Sequence, residues 1–251
     1  MKTNKLYSNL PEERLEAGLI TNDLSICQEI KDVRPYYWFG SANAWIVFLG
    51  SSPGGSPPKG QEDKSFYKSQ ISFNETSKHL LNFDDSRKKN GFWEKIRMYT
   101  KYLFPNIPES NLYKAIMAGN LIDAQEGDSS KLDKEEIKNG AIESFKVLSI
   151  VKPKLVICLQ KSVYELIYDL ALKNNDKIQE NDVLQINSGI KNNIQYNVPV
   201  TYLSSKDYLW RKWVLTRTPM HPSRSNFCNQ NNFKEQYLKK LMAKMSEYLK
   251  H

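Results

Sequence analysis

Residues 45–60 read WIVFLGSSPGGSPPKG: five apolar residues, then a glycine, two serines, a proline and two further glycines. An unbroken apolar run is the pattern of a strand covered on both faces, and such strands belong to parallel sheets flanked by helices. A stiff strand that breaks into glycine and proline delivers its backbone to whatever lies beyond its carboxyl end. The turn is not a phosphate loop, which needs Gly-Lys-Ser/Thr opening a helix. Here Pro57 and Pro58 intervene, and Gly60 follows Lys59. Nor do Gly50, Gly54 and Gly55 give the glycine spacing of a dinucleotide site.

Outward from this stretch, similar apolar runs cover Ala115 to Ala118, Leu155 to Leu159 and Trp213 to Thr216, with a weaker one from Val198 to Leu203. Helical patterns separate most of them. FWEKIRMYTKYLF puts Phe92, Ile96, Tyr99 and Leu103 on one face, and similar patterns start at Glu135, Lys161 and Phe233. Asp133, three residues before Glu136, is placed to cap the second of these. Strands alternating with helices predict an α/β fold whose mostly parallel sheet is covered on both faces. Ligands of such sheets sit beyond the carboxyl ends of the strands, which gathers Gly50 onward, Asn120 onward and Pro219 onward at one rim. Residues 65–90 read as an inserted loop, and residues 174–193, NNDKIQENDVLQINSGIKNN, as a surface excursion of hairpin character.

The length of 251 residues favours one domain, spanning 1–251, with residues 1–40 as a helical or extended segment packed on it. The N-terminal stretch has no apolar signal region and no run reaches membrane-spanning length, so a cytoplasmic chain with no membrane partner is expected. Cys27, Cys158 and Cys228 are too far apart and too few for a disulfide framework or a cysteine-bound cluster. With His79, His221 and His251 as the only histidines, no metal-ligand spacing stands out, and neither a metal nor a cofactor is expected. The net charge is +8, and residues 201–251 carry ten basic residues against three acidic ones. That concentration points to a polyanionic partner, a solvated lysine-rich face being the plainer alternative.

Five signals follow one another along the chain: LGSSPGG after a strand, NGFWEKI opening a helix, IMAGNLID ending a strand in asparagine, VKPKLVICLQKSVYELI, and TPMHPSRSNF after the last strand. In this order they resemble the uracil-DNA glycosylase superfamily, from residue 45 to about residue 249. The first is similar to its Gly-x-x-Pro-Gly turn, the last to its His-Pro-Ser loop, and Asn90-Gly91-Phe92-Trp93 to the mismatch-specific and hypoxanthine-type branches. The resemblance implies a three-layer α/β/α sandwich and a monofunctional glycosylase that flips a base out of single- or double-stranded DNA. Such an enzyme hydrolyses the glycosidic bond and leaves an abasic site. A monomer is expected.

Base excision requires a pocket that reads the polar edge of a flipped base, and donors that stabilise the charge developing on the departing base. Asn120 carries both a donor and an acceptor for the edge, and His221 is a donor suited to the base oxygen. The resemblance assigns base stacking to an aromatic downstream of the first turn, here Phe66 rather than Tyr67. Pro53 stiffens that turn, and Gly50, Gly54 and Gly55 let its backbone approach the nucleotide. Gly54 stands where the uracil-specific branch has a tyrosine that blocks pyrimidine C5, so a larger or modified base is admitted. Ser51, Ser56 and Ser223 suit phosphate contacts, while Arg224 and Phe227 suit either a wedge in the duplex or, for Arg224, a phosphate.

The chain departs from the family at one position that matters. Most active branches have Asp, Asn or Glu just before the first proline, where Ser51 and Ser52 stand here. Ser52 is a poorer partner for a cationic sugar than a carboxylate is. The hypoxanthine-type branch implies that Asn90 takes over this role, although an N-cap explains Asn90 equally. Glu62, Asp63 and Asp123 are further candidates. Two other functions stay open: a module that binds nucleic acid without cutting it, and a hydrolase of free nucleotides. The permissive Gly54 also suits excision of bulky modified pyrimidines from foreign DNA.

Overall fold

The computed structural model describes residues 26, 29–30, 33, 38–51, 96, 99–108, 115–122, 133–174, 176–187, 195–205, 212–219 and 231–248. Seven strands form one sheet: β1 (Trp38–Gly40), β2 (Ile46–Gly50), β3 (Ile116–Asn120), β4 (Leu155–Cys158), β5 (Lys177–Asn187), β6 (Gln195–Ser204) and β7 (Trp213–Arg217). Three helices have defined limits: α1 (Lys134–Val151), α2 (Lys161–Lys173) and α3 (Asn231–Tyr248). Residues 99–103 are also helical.

The spatial order is β1-β3-β2-β4-β7-β6-β5. β3, β2, β4 and β7 run parallel, as their apolar sequences predict, and every residue of β2 is buried. The flanks are antiparallel. β1 pairs with β3, and the β5–β6 hairpin pairs with β7 through β6. The mostly parallel sheet of the sequence reading is therefore a parallel centre with antiparallel edges, and the excursion at 174–193 is the first half of a long hairpin. In β5 only Leu184 and Ile186 are buried, which is the alternation of a strand with one dry face. Pro199 sits in β6 one residue before its pairing with β7 begins, so its missing N–H costs that ladder nothing.

Pleating divides the core in two. One face carries Ile46, Phe48, Ile116, Ala118, Leu155, Ile157 and Val214 against Ile96, Tyr99, Leu103 and the α3 residues Tyr237, Leu238, Leu241 and Met245. The other carries Val47, Leu49, Met117, Val156, Cys158 and Leu215 against residues of α1 and α2, together with Ile30. Helices thus cover both faces. Gly119 is glycine because Trp38 of β1 lies across it, with ring carbons 2.7 Å from where a Cβ would stand. Asp133 caps α1 as its spacing predicts, accepting from the backbone N–H groups of Glu135 and Glu136 at 2.7 and 3.0 Å. α1 ends at Lys152, which adopts the left-handed conformation (φ 54°) immediately before Pro153. Among the described residues no helix is long and apolar enough to cross a membrane.

Candidate functional site

The four parallel strands end at one rim. From β2 the chain passes to β3 on one side, whereas from β4 it goes on to β5, β6 and β7, all on the other. A reversal of this kind, here beyond the ends of β2 and β4, is the place where open α/β sheets bind ligands. Backbone bonds beyond the strands fix the roots of the loops there. Leu121 N–H donates to Gly50 C=O (2.9 Å) and Ile122 N–H to Ser51 C=O (3.0 Å), so β2 and β3 leave the sheet in register. On the other side Leu159 N–H donates to Leu49 C=O, and Thr218 is tied twice, N–H to Cys158 C=O (2.8 Å) and Oγ1 to Leu159 C=O (3.1 Å).

Asn120, the sequence-predicted base reader, is half-buried at the end of β3 and lies directly opposite Gly50. A Cβ at position 50 would stand 2.5 Å from its Oδ1 and 3.6 Å from Leu159 Cδ1. The sequence reading gave Gly50 the task of letting backbone approach a nucleotide. Its Cα faces the Asn120 carboxamide, because the parallel register sets the two positions side by side. Among the described residues no hydrogen bond engages that carboxamide.

Ser51 follows β2 directly, and its carbonyl accepts from Ile122 N–H. It is 3% exposed, and among the described residues its Oγ has no hydrogen-bond partner. An unsatisfied buried hydroxyl costs about 1–3 kcal/mol, which makes Ser51 a place where the chain carries polarity its own fold does not use. Ser51, expected to contact a phosphate, thus follows β2 with its side chain buried.

Arg217, at the end of β7, was not singled out in the sequence. It is half-buried, and its guanidinium donates to Thr218 C=O (3.2 Å) and Asn197 C=O (2.8 Å). Burial lowers its pKa from the usual value, with the Tyr237, Tyr164 and Glu165 fields opposing. The Thr-Arg-Thr pattern at 216–218 was its only signal, and nothing local revealed the carbonyls it reaches. Two other basic residues of the last fifth are also engaged at home: Lys240 donates to Gln185 C=O (2.7 Å), and Lys244 pairs with Asp182 at 2.6 Å. The basic excess is therefore partly spent on holding α3 to β5. Cys158 ends β4 fully buried, and burial pushes its thiol far above the usual range, so it is no nucleophile near neutral pH.

The structure thus brings Gly50 and Asn120 together, with Ser51 buried next in the chain. Ser52, Pro53, Gly54, Ser56, Glu62, Asp63, Phe66, Tyr67, Asn90, Asp123, His221, Ser223, Arg224 and Phe227 lie outside the described residues. Among the described residues no group of three or more His, Cys, Asp or Glu side chains is arranged to hold a metal. In comparison with known proteins, no family model and no curated sequence matches the chain.

Proposed function

We propose that the chain is a monofunctional DNA glycosylase acting on a flipped uracil-like, hypoxanthine or 5-modified pyrimidine base. The observation that carries this reading is Asn120, held in register with Gly50 at the crevice mouth with an amide that no described residue engages. A two-sided hydrogen-bonding group at that place suits the edge of a base. The parallel strand order, with its reversal between β2 and β4, supports the same reading.

In this proposal Asn120 reads the base and Phe66 stacks on it, while Gly54 leaves room beside it. His221 donates toward the base oxygen as negative charge gathers there, and Asn90 or Ser52 orients the attacking water. The water oxygen bonds to the anomeric carbon, the glycosidic C–N bond breaks, and the proton released by the water ends on solvent or the departing base. Ser223, Arg224 and Phe227 contact the strand from the last loop. His221→Ala slows excision about 100-fold or more, the scale of a lost oxyanion donor.

A second reading, a module that binds a flipped base without excising it, is favoured by Ser51. Where active branches carry Asp, Asn or Glu beside the first proline, this residue is a buried hydroxyl. One experiment separates the two. The pure protein is incubated with single- and double-stranded DNA carrying uracil, hypoxanthine, a thymine mismatch or glucosylated hydroxymethylcytosine, with and without chelator, and abasic sites are counted. Abasic product from any substrate establishes the glycosylase and names its base. Tight binding without product across the panel replaces it with the binding module.

A further inference from the structure

We propose that the β5–β6 hairpin is a further nucleic-acid contact, an arm beside the rim that meets duplex DNA with side-chain amides. β6 pairs with β7 only from Val200 to Leu203, with Val200 opposite Thr216. The same register sets Pro199 level with Arg217, the last residue of β7, so Gln195 to Val198 lie beyond the carboxyl end of that strand. With their β5 partners, Leu184 to Asn187, they form a two-stranded ribbon that continues about 13 Å past the rim. A bare ribbon is marginal in water, and this one is braced. Leu184, Ile186 and Val198 join the core on the α3 side. Three side chains hold its backbone: Lys240 donates to Gln185 C=O (2.7 Å), Gln236 accepts from Asn187 N–H (3.4 Å), and Arg217 donates to Asn197 C=O (2.8 Å).

The opposite face of the ribbon carries amides. Pairing sets Gln185 against Asn197 and Asn187 against Gln195, and all four are exposed. Alternation puts them on the face away from Leu184 and Ile186. Among the described residues no hydrogen bond engages their carboxamides. A two-stranded ribbon fits the major groove, and each carboxamide offers a donor and an acceptor to base edges there. No carboxylate stands among the four to repel phosphates, and Asp182, on the other face, is paired with Lys244. The basic residues of 201–251 follow directly in the chain, which favours a polyanion as the occupant. The arm rests on DNA being the partner, as in the reading above, and not on excision.

Affinity of the full chain for an undamaged duplex, read by fluorescence anisotropy over a range of salt, tests the arm. Gln185→Ala, Asn187→Ala, Gln195→Ala and Asn197→Ala together lower it roughly tenfold or more. The salt slope stays as it was, because a neutral amide releases no counterion. Threonine at the four positions, a better strand former, gives the same loss should the alanine variant not fold. Unchanged affinity in a folded variant, or a loss that comes with a flatter salt slope, overturns the proposal. So does a wild type that binds no duplex at low salt. A wild type that sediments as a dimer, with variants that sediment as monomers, assigns the face to a second copy and overturns it too. Abasic sites counted on duplexes bearing the modified bases keep the two readings apart. Weakened binding by the variants with no abasic product from the wild type leaves the arm standing and removes the glycosylase. Product from the wild type with no effect of the variants on binding does the reverse.

Discussion

A buried serine hydroxyl without a partner is a liability unless something visits it. Ser51→Ala removes that liability, so the folded chain gains up to about 1 kcal/mol, checked by urea unfolding. The same variant weakens binding of the preferred oligonucleotide if Ser51 Oγ serves a ligand. Lys152 gives a second single-residue test. It bears the left-handed conformation that ends α1, a position where glycine carries no Cβ penalty, so Lys152→Gly stabilises by about 0.5–1 kcal/mol. Reading these residues from sequence succeeded unevenly for a physical reason. Asp133 was legible because capping is local, with donor and acceptor three residues apart. The pairing of Gly50 with Asn120 was not, because it depends on the register of two strands 70 positions apart in the chain.

Among the elements, α3 and β5 are joined by polar contacts rather than by an apolar seam alone. The Lys244 ammonium beside Asp182 holds its carboxyl below the usual range. A carboxyl so depressed adds stability above its unfolded pKa, and the contribution is lost as pH falls through the lower folded value. Lys244→Met therefore costs at most about 0.5 kcal/mol at pH 7, given the partial exposure of the pair, and nothing once both forms are protonated. Urea midpoints of variant and wild type at neutral and strongly acid pH check this convergence. The parallel strands were legible because burial on both faces writes an unbroken apolar run. β5 was harder to see because nine of its eleven residues lack one or both signals of a strand interior: they are polar, or they lie at the surface.

For the molecule as a whole, the sheet order decides more than any single element. Placing β2 between β3 and β4 turns the ends of the two strands of opposite connection toward one crevice, and residues far apart in the chain share a rim. The α/β class and the rim itself were legible from alternating patterns; the antiparallel edges were not, since pairing direction is absent from composition. Charge also acts at this scale. Because Arg217, Lys240 and Lys244 are held by internal partners, fewer of the basic residues at 201–251 are available to phosphates than their number implies. The dependence of DNA affinity on salt concentration is expected to report fewer than ten displaced counterions, measured by titration from low to moderate salt.

β5 ends the sheet, and three of its backbone groups are already in use. Gln185 C=O accepts from Lys240, Asn187 N–H donates to Gln236, and Val183 N–H turns back to Asp182. At these three groups an approaching strand has to displace a side chain before it gains a ladder bond. The last helix thus shields part of an open strand edge, and removing the Lys240 ammonium uncovers the Gln185 carbonyl there.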